Sequence, residues 1–151
     1  MTHRFTFRPG LPVDASLIRA FVRAIFAKWV PVMGREPLPM TADYDLALQA
    51  HGFDLAYLDD ELAGVLETVT QADHLWVETV AVRSDLQGHG LGQILMSRAA
   101  DEARNKGLAE LRLLTNAALT SNLQFYAANG FVQDKTEPFR GGFVVWFSKK
   151  V

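Results

Sequence analysis

Val80-Ala81-Val82-Arg83-Ser84-Asp85-Leu86-Gln87-Gly88-His89-Gly90-Leu91-Gly92 joins an apolar strand to the start of a helix. Three alternating glycines permit backbone angles that side chains would forbid and let a ligand approach the main chain closely. The N–H groups of a first helical turn lack intrahelical partners, and with the helix dipole behind them they favour an anion. The stretch therefore predicts a phosphate-bearing ligand on residues 87–92. A P-loop would end in Gly-Lys-Ser/Thr, but Gln93-Ile94 follows Gly92. A dinucleotide fingerprint needs a third small residue, and that position is Gln93 or Leu95 depending on which glycine pair opens the count. A glycine-rich turn with no ligand is the plain structural alternative.

Working outward, the pattern predicts a strand over 75–82 before this segment and a helix to about 106 after it. The buried face of that helix is expected at Ile94, Leu95, Ala99 and Ala103, with Gly107 closing it. Upstream, a first strand over 2–8 ends at Pro9-Gly10. Asp14 caps a helix to about residue 29 whose apolar positions Leu17, Phe21, Ile25 and Trp29 recur every four residues, and Pro31 ends it. Residues 34–40 read as a proline-punctuated loop, after which Thr41 caps a second helix to about residue 50. Strands over 53–58 and 62–69 flank the polar turn Asp59-Asp60-Glu61. Downstream come a strand over 111–115, a helix over 120–129, a strand opening at Phe131-Val132, and a last strand over 143–147, apolar on both faces. The order β-α-α-β-β-β-α-β-α-β-β predicts a mixed α/β fold.

With 151 residues, about half of them apolar, the chain has the size and hydropathy of one domain, expected over 1–151. High hydrophobicity and a net charge of −2 exclude intrinsic disorder. No apolar run approaches a membrane span. The start, MTHRFTFRPG, has no secretory pattern, so a cytoplasmic protein with no membrane partner is expected. The absence of cysteine rules out disulfides and cysteinyl intermediates, and four scattered histidines (3, 51, 74, 89) predict no metal site. A pI near 6.1 argues against nucleic acid. The charge is uneven: residues 36–82 hold ten acids and no Lys or Arg. That block is either a solvated face or a functional field.

Gln87, Gly90 and Gly92 form the pattern Gln-x-x-Gly-x-Gly. This resembles the acetyl-CoA-binding motif of the GNAT family of N-acetyltransferases. Glu78-Thr79-Val80-Ala81-Val82 resembles that family's fourth strand, which pairs its backbone with the pantetheine arm. Asn122 to Phe131 (NLQFYAANGF) resembles its later Asn…Tyr-x-x-x-Gly-Phe helix. The predicted element order is also that of the GNAT fold. Together these likenesses cover roughly residues 53–148. Within the family, Gly34-Arg35-Glu36-Pro37-Leu38-Pro39-Met40…Asp43-Tyr44 looks like a segment of small bacterial members that share no single agreed substrate.

The resemblance implies acetyl-CoA as cosubstrate, held by Val80, Ala81, Val82, Gln87, Gly88, His89, Gly90, Leu91, Gly92, Gln93 and Asn122. It implies Tyr126 as the acid for the leaving thiolate; a core tyrosine packed beside Phe125 and Phe131 is the alternative. Glu78, two residues before Val80 and expected on its strand face, is the candidate base, or else a solvent-facing glutamate. His74 is the reserve base. Asn122 and His89 could instead serve only local backbone and solvent. The backbone N–H of Val80 is the expected oxyanion donor. The acceptor is a small-molecule or peptide amine, attacking directly in a ternary complex. Glu36 and Asp43 would bias the site toward cations. A non-catalytic acyl-CoA sensor is the rival reading. The doubly apolar last strand suggests a possible homodimer.

Overall fold

The computed structural model describes residues 4–151. Its strands are β1 (Thr6–Pro9), β2 (Gly52–Leu58), β3 (Glu61–Thr70), β4 (Leu75–Val82), β5 (Glu110–Asn116), β6 (Val132–Phe139) and β7 (Gly142–Lys150). Its α-helices are α1 (Ala15–Phe26), α2 (Val30–Met33), α3 (Leu38–Thr41), α4 (Tyr44–Ala50), α5 (Leu91–Asn105) and α6 (Thr120–Ala128). The seven strands form one sheet in the order β1-β2-β3-β4-β5-β7-β6. Only the central β4–β5 pair is parallel; α5 makes that crossover. The predicted mixed α/β fold is the one observed. Thr2 and His3 of the predicted first strand lie outside the described residues.

The sheet is covered on both faces, and two cores result. On one face α5 lays Leu91, Leu95, Met96, Ala99, Ala100 and Ala103 against Leu66, Leu75, Val77 and Leu111. On the other, α1 lays Ile18, Val22, Ile25 and Phe26 against Phe53, Leu55, Val65 and Ala81, with Tyr44 fully buried among them. The expected helix faces need correction. In α1 the buried residues follow i, i+4, i+7 and i+8, whereas Leu17 is 45% exposed, because a strict four-residue repeat drifts around a helix of 3.6 residues per turn. Ile94 of α5 is likewise exposed, and Met96 takes its place inside.

Pro31 does not end the first helical region. A 3₁₀ turn follows α1, and Pro31 sits in the first turn of α2, where its missing N–H costs nothing; Gly34, at φ +74°, terminates that helix. Residues 34–40 are not all loop, since α3 occupies part of them. Arg23 fixes this segment by a bidentate pair with Glu36 (3.0 and 3.2 Å) and a 2.7 Å bond to the Met40 carbonyl. The second cap is Asp43, whose carboxylate accepts from the Leu46 N–H at 3.1 Å. Thr41, expected as that cap, instead donates to the Leu38 carbonyl at the end of α3. β7 lies inside the sheet, between β5 and β6. Val145 and Phe147 on it fill the α5-side core, Val144 is buried as well, and Phe143 is exposed.

Asp43→Ala should therefore lower unfolding free energy by about 1 kcal/mol, while Thr41→Ala changes it by less than half as much. Urea denaturation of the two variants checks the order; a larger loss for Thr41→Ala would restore the cap to position 41.

Candidate active site

β4 and β5 pair only at Leu75↔Leu111 and Trp76↔Arg112. Beyond that point they separate, although β4 continues to Val82 and β5 to Asn116. The β5-facing edge of residues 77–82 thus has no strand partner, and an extended ligand chain can lie along it. Two cavities open around this split. One, of about 430 Å³, lies between the glycine segment, the end of α1 and α6. The other, of about 610 Å³, lies between the segment 33–51, β4, the end of β5 and Phe139. Phe26, Val80, Asn122 and Tyr126 line both, so the two meet at the mouth of the split.

The smaller cavity gathers most of the predicted coenzyme residues: Val80, Ala81, Val82, Gln87, Gly88, Gly90, Gly92, Gln93 and Asn122. Gly88 and Gly90 have φ of +81° and +89° with no protein atom near where a Cβ would stand. Their glycines answer to backbone conformation. Gly92 answers to packing: a Cβ there would stand 3.0 Å from the Phe125 ring. Gly90 caps α5 without a side-chain bond, leaving the first-turn N–H groups without intrahelical carbonyls. Gln87 is held by the Val82 carbonyl at 3.1 Å and accepts from Lys28 Nζ at 3.3 Å. Leu91 is fully buried in the α5-side core, so its side chain faces away from this cavity. His89 does not line it. Lys28, Trp29 and Phe125 do, and sequence reasoning missed them. Lys28 could have been found as the lone lysine at the end of the first helix, a cation across from an expected phosphate site.

The larger cavity carries the carboxylates. Pairing β3 with β4 matches Glu67 to Thr79 and Thr68 to Val77, so Glu78 is an extra residue, a β-bulge. The bulge changes the strand's phase. Leu75 and Val77 point to the α5-side core, but past Glu78 it is Val80 and Val82 that pack there while Ala81 joins the α1 side. Glu78 and Val80 therefore do not share a face, contrary to the alternation expected from the sequence; both nonetheless line the cavity. The exposed Glu78 carboxylate accepts from Trp76 Nε1 at 2.6 Å. Tyr126 is buried, its ring edge-on to Phe125 and Phe131, and burial pushes its phenol up to about 12. It keeps its proton across the neutral range.

His74 bonds Asp73 at 2.7 Å in the β3–β4 turn and lines neither cavity. Glu67 and His51, which no sequence pattern singled out, do line the larger one. Much of the acidic block is paired with cations from elsewhere: Glu36 with Arg23, Asp45 with Arg19, Asp54 with Arg98, Glu61 with Arg83. Glu36 does not line the cavity. Asp43, Glu67 and Glu78 do, with Arg35 at the rim above Phe139.

The family model of the Acetyltransferase (GNAT) family matches residues 19–131. The chain belongs to the GNAT acetyltransferase family. Solved GNAT-type structures superimpose over nearly its whole length. The PaiA N-acetyltransferase of Thermoplasma acidophilum in complex with coenzyme A is 20% identical, with a TM-score of 0.79 over 98% of this chain and 99% of that one. A GNAT family acetyltransferase of Elizabethkingia anophelis with acetyl-CoA bound is 16% identical, with a TM-score of 0.69 over 97% and 98%. The ribosomal-protein-S18-alanine N-acetyltransferase of Escherichia coli is 18% identical, with a TM-score of 0.78 over 97% and 94%. These likenesses establish the GNAT fold. No helix among the described residues is long and apolar enough to cross a membrane.

The Gly92–Phe125 contact is directly testable. Gly92→Val should destabilise the fold by about 1–3 kcal/mol through overpacking. In a Phe125→Ala background most of that loss should vanish, giving a clear coupling energy in a double-mutant cycle. Additive effects would show that Gly92 is needed for another reason.

Proposed function

We propose that this GNAT protein transfers the acetyl group of acetyl-CoA to a cationic primary amine by direct attack in a ternary complex. The observation that carries the reading is the meeting of the two cavities at Val80, Asn122 and Tyr126. The coenzyme's pyrophosphate would sit on the first-turn N–H groups of α5, with Lys28 adding positive charge, and its pantetheine arm would lie along the unpaired edge of β4. That a neighbour of the same fold is described with acetyl-CoA bound, and another with coenzyme A, supports the choice of cosubstrate. The thioester would reach the junction beside Tyr126, with the backbone N–H of Val80 stabilising the developing oxyanion.

The amine nitrogen attacks the thioester carbon, forming the C–N bond, and the C–S bond then breaks. Glu78 takes the proton that leaves nitrogen at this stage. Tyr126 donates toward the departing sulfur. Its raised pKa keeps the phenol protonated while the site is at rest, and the proton it gives to sulfur is replaced by the one Glu78 has taken from nitrogen. The three cavity carboxylates, Asp43, Glu67 and Glu78, favour a cationic acceptor.

Isothermal titration with acetyl-CoA, followed by thiol release over a panel of amines, tests the whole reading. Micromolar binding with turnover is expected; binding without turnover on any amine would make the chain an acyl-CoA sensor. Tyr126→Phe should lower kcat by about 10²–10⁴-fold and leave acetyl-CoA affinity nearly unchanged. Undiminished turnover would reassign Tyr126 to packing.

The acceptor's charge has its own signature. For a cationic amine, kcat/KM should fall as salt rises, because the Debye length shrinks from about 10 Å at 0.1 M to about 3 Å at 1 M. Asp43→Asn, which keeps the helix cap but removes the charge, should reproduce part of that loss at low salt. Glu36→Gln should not, since Arg23 already neutralises Glu36. A kcat/KM indifferent to ionic strength would remove the field from the account.

A further inference from the structure

Acetylating an ammonium removes two protons from nitrogen. One must leave before attack, to expose the lone pair; the second leaves the tetrahedral intermediate and ends on the thiol. An amine of pKa about 10.4 is neutral only about once in two to three thousand molecules at pH 7. Glu78 answers the second need, so the first requires another proton acceptor in the same cavity.

The chain has one. Glu67 lies mid-strand in β3 with its side chain only 3% exposed. Its Oε1 accepts from Thr79 Oγ1 at 2.9 Å, and its Oε2 meets His51 Nδ1 at 2.6 Å. In its ionised form Glu67 can only accept, and the proton of that bond is then His51 Nδ1–H. In that tautomer a neutral imidazole leaves Nε2 with a free lone pair. His51 is 28% exposed and, like Glu67, lines the larger cavity, at the junction of α4 and β2. A buried carboxylate with one face on a cavity and an oriented imidazole between it and solvent is more than a surface ion pair.

We infer that His51, oriented by Glu67, is the base that takes the first proton from the bound acceptor ammonium. The inference rests on the acetyl-transfer reading and deepens it. R–NH3⁺ gives a proton to Nε2, leaving R–NH2 and an imidazolium whose Nδ1–H stays bonded to the Glu67 carboxylate. The neutral amine attacks, sulfur leaves as the thiol, and the imidazolium returns its proton to solvent. The sum is R–NH3⁺ plus acetyl-CoA giving the amide, free coenzyme A and one H⁺. An imidazole titrates about two units above a carboxylate and is the better matched acceptor for an ammonium proton. Other charged or titratable groups near the pair are Glu78 on β4, Asp43 and the neutral Tyr44 at the start of α4, Arg19 on α1 and Arg35 at the rim. Desolvation holds the Glu67 carboxyl above its ordinary range, while its bonds from His51 and Thr79 act the other way.

The test compares acceptors that do and do not need the step. Wild type, His51→Gln and Glu67→Gln are assayed with the primary alkylamine that wild type turns over fastest. They are assayed again with the β,β,β-trifluorinated analogue of that amine, whose nitrogen is already neutral at the assay pH. His51→Gln should lose about 10²–10⁴-fold in kcat/KM on the alkylamine at pH 7 and regain rate as pH rises toward the amine's own pKa. It should lose less than about threefold on the fluorinated amine. Glu67→Gln should show the same selectivity, smaller in size, and serves if the His51 variant folds poorly. Equal losses on both amines would mean that His51 only supports the end of α4, and an unchanged His51→Gln would equally overturn the role. A wild type that acetylates no amine would instead overturn the acetyl-transfer reading itself.

Discussion

The separation of β4 from β5 is the constraint on which the site depends. Parallel neighbours that stayed paired would satisfy their own backbone groups and leave nothing for a ligand. Here pairing stops at Trp76↔Arg112. Past it, β4 is held on its other edge alone, by β3, and remains ordered because both its faces are buried. α5, α6 and the end of α1 flank the gap on the coenzyme side; the segment 33–51 closes the acceptor side. An unpaired strand edge inside a protein is costly unless something completes it. That cost is a physical argument for an extended, amide-bearing ligand in the gap.

The second constraint is the extra residue in β4. Without it, alternation would set Glu78 and Thr79 on opposite faces of the sheet. With it, both turn toward the acceptor cavity, and Thr79 comes within 2.9 Å of Glu67 on the neighbouring strand. A single inserted position thus gathers two glutamates from adjacent strands on one wall. Burying Glu67 is tolerable only because Thr79 and His51 bond both its oxygens. The same contacts that stabilise the strand pair orient the imidazole.

What was legible in the sequence was local chemistry. The glycine segment, its place between a strand and a helix, Gly107 at the end of α5 and the Asn…Tyr helix all depend on neighbours within a few residues. The α5 face was legible except at Ile94, whereas in α1 only Ile25 of the expected stripe is in the core, because a stripe of apolar residues does not say which side of it meets the sheet. The cap at Asp43 was hidden behind Thr41, an equally good capping residue two positions earlier. The Glu78 bulge and the His51–Glu67 pair were not legible at all. Both arise from strand register, which depends on how β2, β3 and β4 slide against one another, and a glutamate inside an apolar strand announces neither its partner nor its face. Lys28 was missed for a similar reason: it reaches Gln87 across 59 positions of chain.

Charge is where composition and folded surface part company. Ten acids without a Lys or Arg between residues 36 and 82 suggest a broad negative face. Folding brings Arg19, Arg23, Arg83 and Arg98 onto Asp45, Glu36, Glu61 and Asp54, so four of the ten are taken into short-range pairs on the surface. Such pairs add little stability individually, but they cancel charge at a distance. Asp43, Glu67 and Glu78 remain around one cavity, where Arg35 is the rim cation and apolar side chains such as Phe26, Leu46 and Phe139 limit solvent screening. Three carboxylates so placed act on an ammonium more strongly than ten spread over a solvated face would, since interaction weakens with both distance and the dielectric between the charges. The acidic block thus matters to the acceptor through the few members the fold leaves facing the cavity.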